Sequence, residues 1–247
     1  MPDPTDRSAR LALVTGASGG IGAAIARRLA ADGFDLLVHA NRNAPRVEAL
    51  AEELRAAGHA ASPIVFDVTD PVAVEEALAP ILAERPVQVL VNNAGMHDDG
   101  PLAGMSAARW RAVVDVSLNG FHHVTQPVLL PMIRTRWGRI INIASVSGLI
   151  GNRGQSNYAA AKAGLIGATR ALSREVSSRG VLVNAVAPGL IDTAMSEDSA
   201  AAEGIKAHVP MGRAGRPEEV AEVVGFLAGD KASYLSGQVI AVDGGMT

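Results

Sequence analysis

"LALVTGASGGIG" (Leu11–Gly22) decides how this chain folds. Leu11–Thr15 is a short apolar run that reads as a strand. It passes through Gly16, Gly20 and Gly22 into Ile21–Ala31, where Ile21, Ile25 and Leu29 share one helical face. In a strand-to-helix turn, glycines let the backbone approach a phosphate while the helix amino terminus faces its charge. The spacing is G-x-x-x-G-x-G, and a glycine cluster alone is weak evidence. The strand before it and the amphipathic helix after it supply the missing context. The stretch reads as a dinucleotide-binding turn opening a βαβ unit.

The unit repeats outward from there. "DLLVHA" is a second strand, followed by a helix from about Pro45 to Ala57 that stops at Gly58. "SPIVFD" and Pro71–Glu84 repeat it, and "VQVLVN" (Val87–Asn92) is a fourth strand. "RIINIA", "VLVNAV" and "VIAVD" add three more. Nearly continuous apolar strands alternating with helices predict one doubly wound parallel sheet of the Rossmann type, with helices on both faces. Residues 1–9, polar and proline-containing, read as a flexible arm ahead of a single domain over 10–247. Within the helical stretch Ala107–Trp137, Pro127 and Pro131 predict a kink or break.

Composition excludes several classes. A net charge of −3 with no long basic run argues against nucleic acid. With no cysteine, there is no disulfide, thiolate nucleophile or thiolate metal site. The polar start does not read as a signal peptide, and no apolar run approaches the ~20 residues that span a membrane. A cytoplasmic protein is expected. His97, Asp98 and Asp99 are adjacent in a loop and cannot converge on one ion without strain, so no metal is expected.

The carboxyl ends of the strands mark the ligand crevice of such a sheet. At the tip of the second strand an acid would bind a ribose 2′-hydroxyl, but the tip reads His39, Ala40, Asn41, Arg42. Asn41 and Arg42 could donate to a 2′-phosphate instead, which points to NADP(H). Asp67 and Val68 end the third strand, with Asp70 before Pro71 as a helix cap. "NNAG" (Asn92–Gly95) ends the fourth and offers Asn93, Ala94 and Gly95 as a polar wall beside a cofactor.

"SNYAAAKAGL" (Ser156–Leu165) places one of two tyrosines four residues before a lysine, among small residues. Four residues apart on a helix is one face, so Tyr158 and Lys162 can serve one site. A phenol is a poor acid–base group at neutral pH, and a nearby ammonium is expected to lower its pKa. Ser145, at the end of the fifth strand, could polarise a carbonyl beside it, with Ser147 as a competitor.

Taken in order, "TGASGGIG", "NNAG", Asn119, "INIASVSG", "YAAAK" and "APGLIDT" (Ala187–Thr193) resemble the short-chain dehydrogenases/reductases, most closely the 3-oxoacyl-acyl-carrier-protein reductases. The likeness runs from about Arg10 to Met246. It implies a catalytic set of Asn119, Ser145, Tyr158 and Lys162, with Asn119 holding a water that extends a proton relay to the lysine. It implies dinucleotide contacts from Gly16, Ser18, Gly19, Gly20, Ile21 and Gly22, from Tyr158 and Lys162, and from Pro188, Gly189, Ile191 and Thr193. It also implies Arg136 and Arg179 as contacts for an acidic carrier protein, and a homotetramer. Ala194–Val209, small, polar and only weakly periodic, reads as a mobile lid over the substrate.

Two departures stand out. Gly19 lies where many NADP-dependent relatives have arginine, and the loop "MHDDGPLAGM" (Met96–Met105), with "FDLLVHANRN", resembles accessory reductases of polyketide-like and aryl-polyene pathways. The implied activity is NADPH-dependent reduction of a 3-oxoacyl thioester. The alternatives are another small carbonyl or alcohol, such as a sugar or steroid, and a non-catalytic nucleotide-binding protein.

Overall fold

The computed structural model describes residues 10–192 and 209–247. The expected arm, Thr193, and all of the expected lid except Val209 lie outside the described residues.

Seven parallel strands form one sheet in the order β3-β2-β1-β4-β5-β6-β7. They are β1 (Leu11–Val14), β2 (Asp35–Ala40), β3 (Ala61–Val65), β4 (Val87–Asn92), β5 (Gly138–Ile143), β6 (Val181–Pro188) and β7 (Val239–Val242). Side chains alternate across each strand, so the sheet feeds two cores. Ala12, Val14, Leu36, Val38, Val89 and Ile141 pack on one face against helices α1 (Gly20–Ala31), α2 (Ala44–Ala56) and α8 (Pro217–Ala228). Leu11, Leu13, Leu37, Leu90 and Ile140 pack on the other against α3 (Pro71–Glu84) and α5 (Gly120–Thr135). The two-faced doubly wound sheet expected from the sequence is what forms.

The caps follow ordinary chemistry. Asp70 accepts from the amides of Val72 and Ala73 at 3.0 and 3.2 Å, and Pro71 fills the first helical position. Of the kink or break expected at Pro127 and Pro131, the break does not occur, since α5 runs through both. The irregularity comes earlier, where α4 (Ala107–Val114) passes into a π-helical turn over Asp115–Asn119 before α5 begins. Such wide turns rotate the residues they contain relative to an ordinary helix.

Strands β2 and β4 flank β1, so the chain leaves in opposite directions after β1 and β4. The carboxyl ends of the two strands part there and leave a crevice.

Candidate active site

The glycine turn is built from three sides. Gly16 has φ +65, and its amide donates to Nδ1 of His39 at 3.1 Å. A Cβ at Gly22 would stand 2.4 Å from the Gly16 carbonyl oxygen, so only glycine lets α1 begin this close to the strand. From β4, Asn93 Nδ2 donates to the carbonyls of Thr15 and Gly16 at 2.9 and 3.1 Å. Thr15 Oγ1 accepts from the amides of Asn93 and Ala94, both at 2.9 Å. "TGASGGIG" and "NNAG" are thus one hydrogen-bonded unit. No side chain caps α1, and Gly20, Ile21 and Gly22 of its first turn line the adjoining cleft.

A cleft of about 1030 Å³ runs from this turn to the end of α7 (Ser156–Val176). Gly16, Ser18, Gly19, Gly20, Ile21 and Gly22 line one end. Asn93, Gly95, Pro188, Gly189 and Ile191 line its middle. Ser145, Tyr158 and Lys162 face the same space. Asn41, Arg42, Asp67, Val68 and Ala94 are not in its lining. Asp67 accepts from the amide and hydroxyl of Thr69 at 2.9 and 2.8 Å. Burial pushes its carboxyl up, but the bonds from Thr69 and Asn41 and the charge of Arg42 outweigh this and hold it below the ordinary range. Arg46, from the first turn of α2, does line the cleft, and its Nη1 lies 3.4 Å from the Ser18 carbonyl oxygen. Gly19 leaves open space beside it, since a Cβ there would meet only Gly16 O at 3.6 Å. Sequence spacing gave no sign of Arg46, because its position depends on how α2 crosses the turn.

Ser145 is buried at the end of β5 and accepts from the Ser147 amide at 3.1 Å. The Ser147 hydroxyl is engaged elsewhere, donating to Gln155 at 2.9 Å. Gly148 lets this turn lie directly on α7, since a Cβ there would sit 2.8 Å from the Lys162 backbone. That contact brings the β5 end and the tyrosine helix together. Lys162 is buried and donates from Nζ to the Ile143 carbonyl at 2.7 Å. Burial drives its pKa down to about 8, so at neutral pH it is still mostly a cation.

The Tyr158 phenol moves the opposite way from the sequence expectation. Burial pushes it above its ordinary value; a hydrogen bond with Ser145 opposes the shift and the Asp99 charge adds to it. Lys162 Nζ stands 5.5 Å from the ring centre and is turned to Ile143, so loss of water outweighs the ammonium's pull.

Asn119 does not join the group. It is exposed and donates to Asp115 at 2.7 Å. Two residues earlier, Ser117 is buried with no hydrogen-bond partner for its hydroxyl. A Cβ on Gly95 would stand 3.5 Å from Lys162 Nζ and 3.9 Å from Ser117 Oγ, so both polar atoms border one spot. Ser117 also lines a water-sized cavity of about 10 Å³ with Thr15 and Asn92. Two residues apart in the π-helical turn, Ser117 and Asn119 fall on opposite sides of the helix, Ser117 inward and Asn119 outward.

The loop after β4 is clamped over the tyrosine end. Gly100 N donates to Gly154 O at 2.7 Å, Asn157 Nδ2 to Asp98 O at 3.0 Å, and Gln155 Nε2 to Asp99 at 2.8 Å. Asp98 is paired with Arg109. Among the described residues, no group of three or more His, Cys, Asp or Glu could hold a metal, and no helix is long and apolar enough to cross a membrane. Arg136 and the segment carrying Arg179 lie together, with Arg136 Nη2 3.4 Å from the Ser178 carbonyl. They sit before the amino ends of β5 and β6, at the opposite edge of the sheet from Ser145 and Pro188.

The chain is similar to known proteins along most of its length. The profile of the family described as Enoyl-(Acyl carrier protein) reductase matches residues 16–247. The 3-oxoacyl-[acyl-carrier-protein] reductase FabG of Aggregatibacter actinomycetemcomitans is 46% identical over 236 residues, covering 95% of this chain and 98% of its own. That of Pseudomonas aeruginosa is 47% identical over 241 residues, covering 96% and 97%. The Escherichia coli enzyme is 46% identical over 242 residues, with the same coverage. A solved structure from Agrobacterium tumefaciens, whose proposed assignment is gluconate dehydrogenase, superimposes with a TM-score of 0.94 at 34% identity, covering 98% of this chain and 97% of that one. With its glycine turn, its parallel sheet and its buried lysine one helical turn from a tyrosine, the chain belongs to the short-chain dehydrogenase/reductase family.

Proposed function

We propose that this protein reduces a 3-oxoacyl group, carried as a thioester on an acyl carrier protein, to the 3-hydroxyacyl form, with NADPH as the reductant. The observation that carries this reading is the gathering of Ser145, Tyr158 and Lys162 in a cleft rimmed by the glycine turn, in a chain 46–47% identical to three reductases of that name.

The cleft suits a dinucleotide. The crowded glycines hold the turn close enough for backbone to meet a pyrophosphate, and the uncapped amino end of α1 favours its charge. Lys162 spends one of its three donors on Ile143, leaving others for ribose hydroxyls. Arg46 and Arg42 are the cations near the adenosine end, which supports NADP(H) over NAD(H). When bound, the nicotinamide supplies hydride to the substrate carbonyl carbon.

The protein's own groups do the rest. Ser145 donates to the substrate oxygen and polarises it. Tyr158 gives that oxygen its proton as negative charge develops there. The upward pull of burial keeps the phenol protonated and ready for reduction, and the Lys162 cation stabilises the phenolate left behind. A water held by Ser117, rather than by Asn119, returns a proton toward Lys162.

Arg136 and Arg179, brought together beside the amino ends of β5 and β6, are the cations offered to an acidic carrier protein. We expect a homotetramer. Exposed Leu130, Phe226 and Tyr234 supply apolar surface for it.

The test is initial rates of NADPH and NADH oxidation with acetoacetyl groups on a carrier protein and on a CoA-type thioester. Faster NADPH oxidation with the carrier-bound substrate supports the proposal. Dinucleotide binding without oxidation by either thioester would overturn the substrate and favour a sugar-type alcohol, the class named for the structural relative at 34% identity.

A further inference from the structure

His39 lies near the carboxyl end of β2, only 1% exposed, directly beneath the glycine turn. Each polar atom it offers has a definite partner. Nδ1 accepts from the Gly16 amide at 3.1 Å, and its carbonyl accepts from the Ala17 amide at 2.7 Å. Nε2 donates to the Phe66 carbonyl at 2.9 Å, and the ring lies on Phe66 with centroids 4.0 Å apart.

These contacts admit one form of the ring. A carbonyl cannot donate, so Nε2 carries the proton; an amide N–H cannot accept, so Nδ1 is bare. A protonated ring would set two donors against each other at Gly16. Burial agrees with this, lowering the pKa to about 4, so the bare Nδ1 persists through neutral pH.

A leucine would fill the same space, but it would leave the Gly16 amide facing the interior unpaired. Packing alone therefore does not account for the residue. Two consecutive amides of the turn, at Gly16 and Ala17, are tied to this one residue, and Gly16 is the member with left-handed φ.

We propose that His39 is a positioning residue for the dinucleotide: its neutral imidazole and its carbonyl together fix the glycine turn in the shape that meets the pyrophosphate. This rests on the dinucleotide-binding reading of the cleft. His39 touches only the turn and acts through Gly16 and Ala17, so it belongs to affinity rather than to the chemical step.

The test compares NADPH affinity, turnover at saturating NADPH, and melting temperature in wild type, His39→Leu and His39→Asn. His39→Leu keeps an apolar body against Phe66 but has no acceptor. It should weaken NADPH binding about tenfold, with saturated turnover within about twofold of wild type. His39→Asn keeps an acceptor where Nδ1 stood but loses the stacked ring. It should melt lower than wild type yet bind NADPH within about threefold.

His39→Leu binding as wild type, or the two variants losing affinity equally, would overturn the role. Should His39→Leu not fold, the ¹⁵N signals of the wild-type ring decide. A bare Nδ1 that shifts on NADPH addition supports the role, and a protonated Nδ1 in the neutral ring refutes it. Wild-type protein that bound no dinucleotide would instead overturn the functional reading itself, and this role with it.

Discussion

Lys162 reaches past Tyr158 to donate its Nζ proton to the Ile143 carbonyl at 2.7 Å, at the carboxyl end of β5. The lysine is held in a dry place by a neutral partner, and its pKa falls to about 8 against an ordinary 10.5. Between pH 8 and 10.5 the folded chain therefore binds fewer protons at this site than the unfolded chain does. Raising the pH through that window removes a penalty that is fully present below pH 8. Relative to Lys162→Met, wild type should gain up to about 3 kcal/mol between pH 7.5 and 10.5. Urea midpoints of both proteins at several pH values measure it. A constant difference would mean the lysine titrates at its ordinary value.

Tyr158 is the proton donor in the proposed reduction, so Tyr158→Phe removes one hydroxyl and leaves the ring. Turnover should drop roughly 10²–10⁴-fold, the usual worth of a general acid. Dinucleotide affinity, set mostly at the glycine turn, should change by no more than about twofold. Steady-state rates together with a binding titration separate the two. Unchanged turnover would remove Tyr158 from the chemistry.

Ser117 and Asn119 make opposite predictions although they are two residues apart. The buried, unpartnered hydroxyl of Ser117 faces the Lys162 side, whereas exposed Asn119 spends its amide on Asp115. Ser117→Ala should lower turnover about tenfold by removing a water's anchor, while Asn119→Ala should stay within about twofold. The two rates, measured side by side at saturating NADPH, check this. The reverse order would restore the assignment made from sequence.

What could be read from the sequence was what local spacing determines. The glycine turn, the parallel sheet and the pairing of Tyr158 with Lys162 depend on periods of two and four residues, which the chain displays directly. Ser145 was separable from Ser147 only through resemblance. The structure gives a physical reason, because Gln155 takes the Ser147 hydroxyl. Asn119, assigned through resemblance, stands exposed on the side of its helical turn away from Ser117, and the sequence carries no signal for which of the two faces inward. The direction of the Tyr158 shift also failed, since burial is a property of packing and spacing alone does not reveal it. Arg46 and His39 went unread for a related reason. Each meets the glycine turn only after α2 and β2 have packed against it.

Arg46 offers the sharpest test of dinucleotide choice. Its guanidinium lies by Ser18 in the cleft lining, whereas Arg42 shares its charge with Asp67 outside that lining. If the 2′-phosphate is held there, Arg46→Ala loses a charge-assisted contact that NADH never makes. The KM for NADPH should rise about tenfold or more, with NADH nearly unchanged, and Arg42→Ala should cost less. Gly19 is the neighbouring position with room for a side chain, because a Cβ there meets nothing closer than Gly16 O at 3.6 Å. Gly19→Arg in the Arg46→Ala background should therefore recover part of the preference by placing a new cation over the same space. Ratios of kcat/KM for NADPH and NADH across the three variants measure it. Equal losses for both dinucleotides in Arg46→Ala would mean the arginine supports the turn without reading the phosphate.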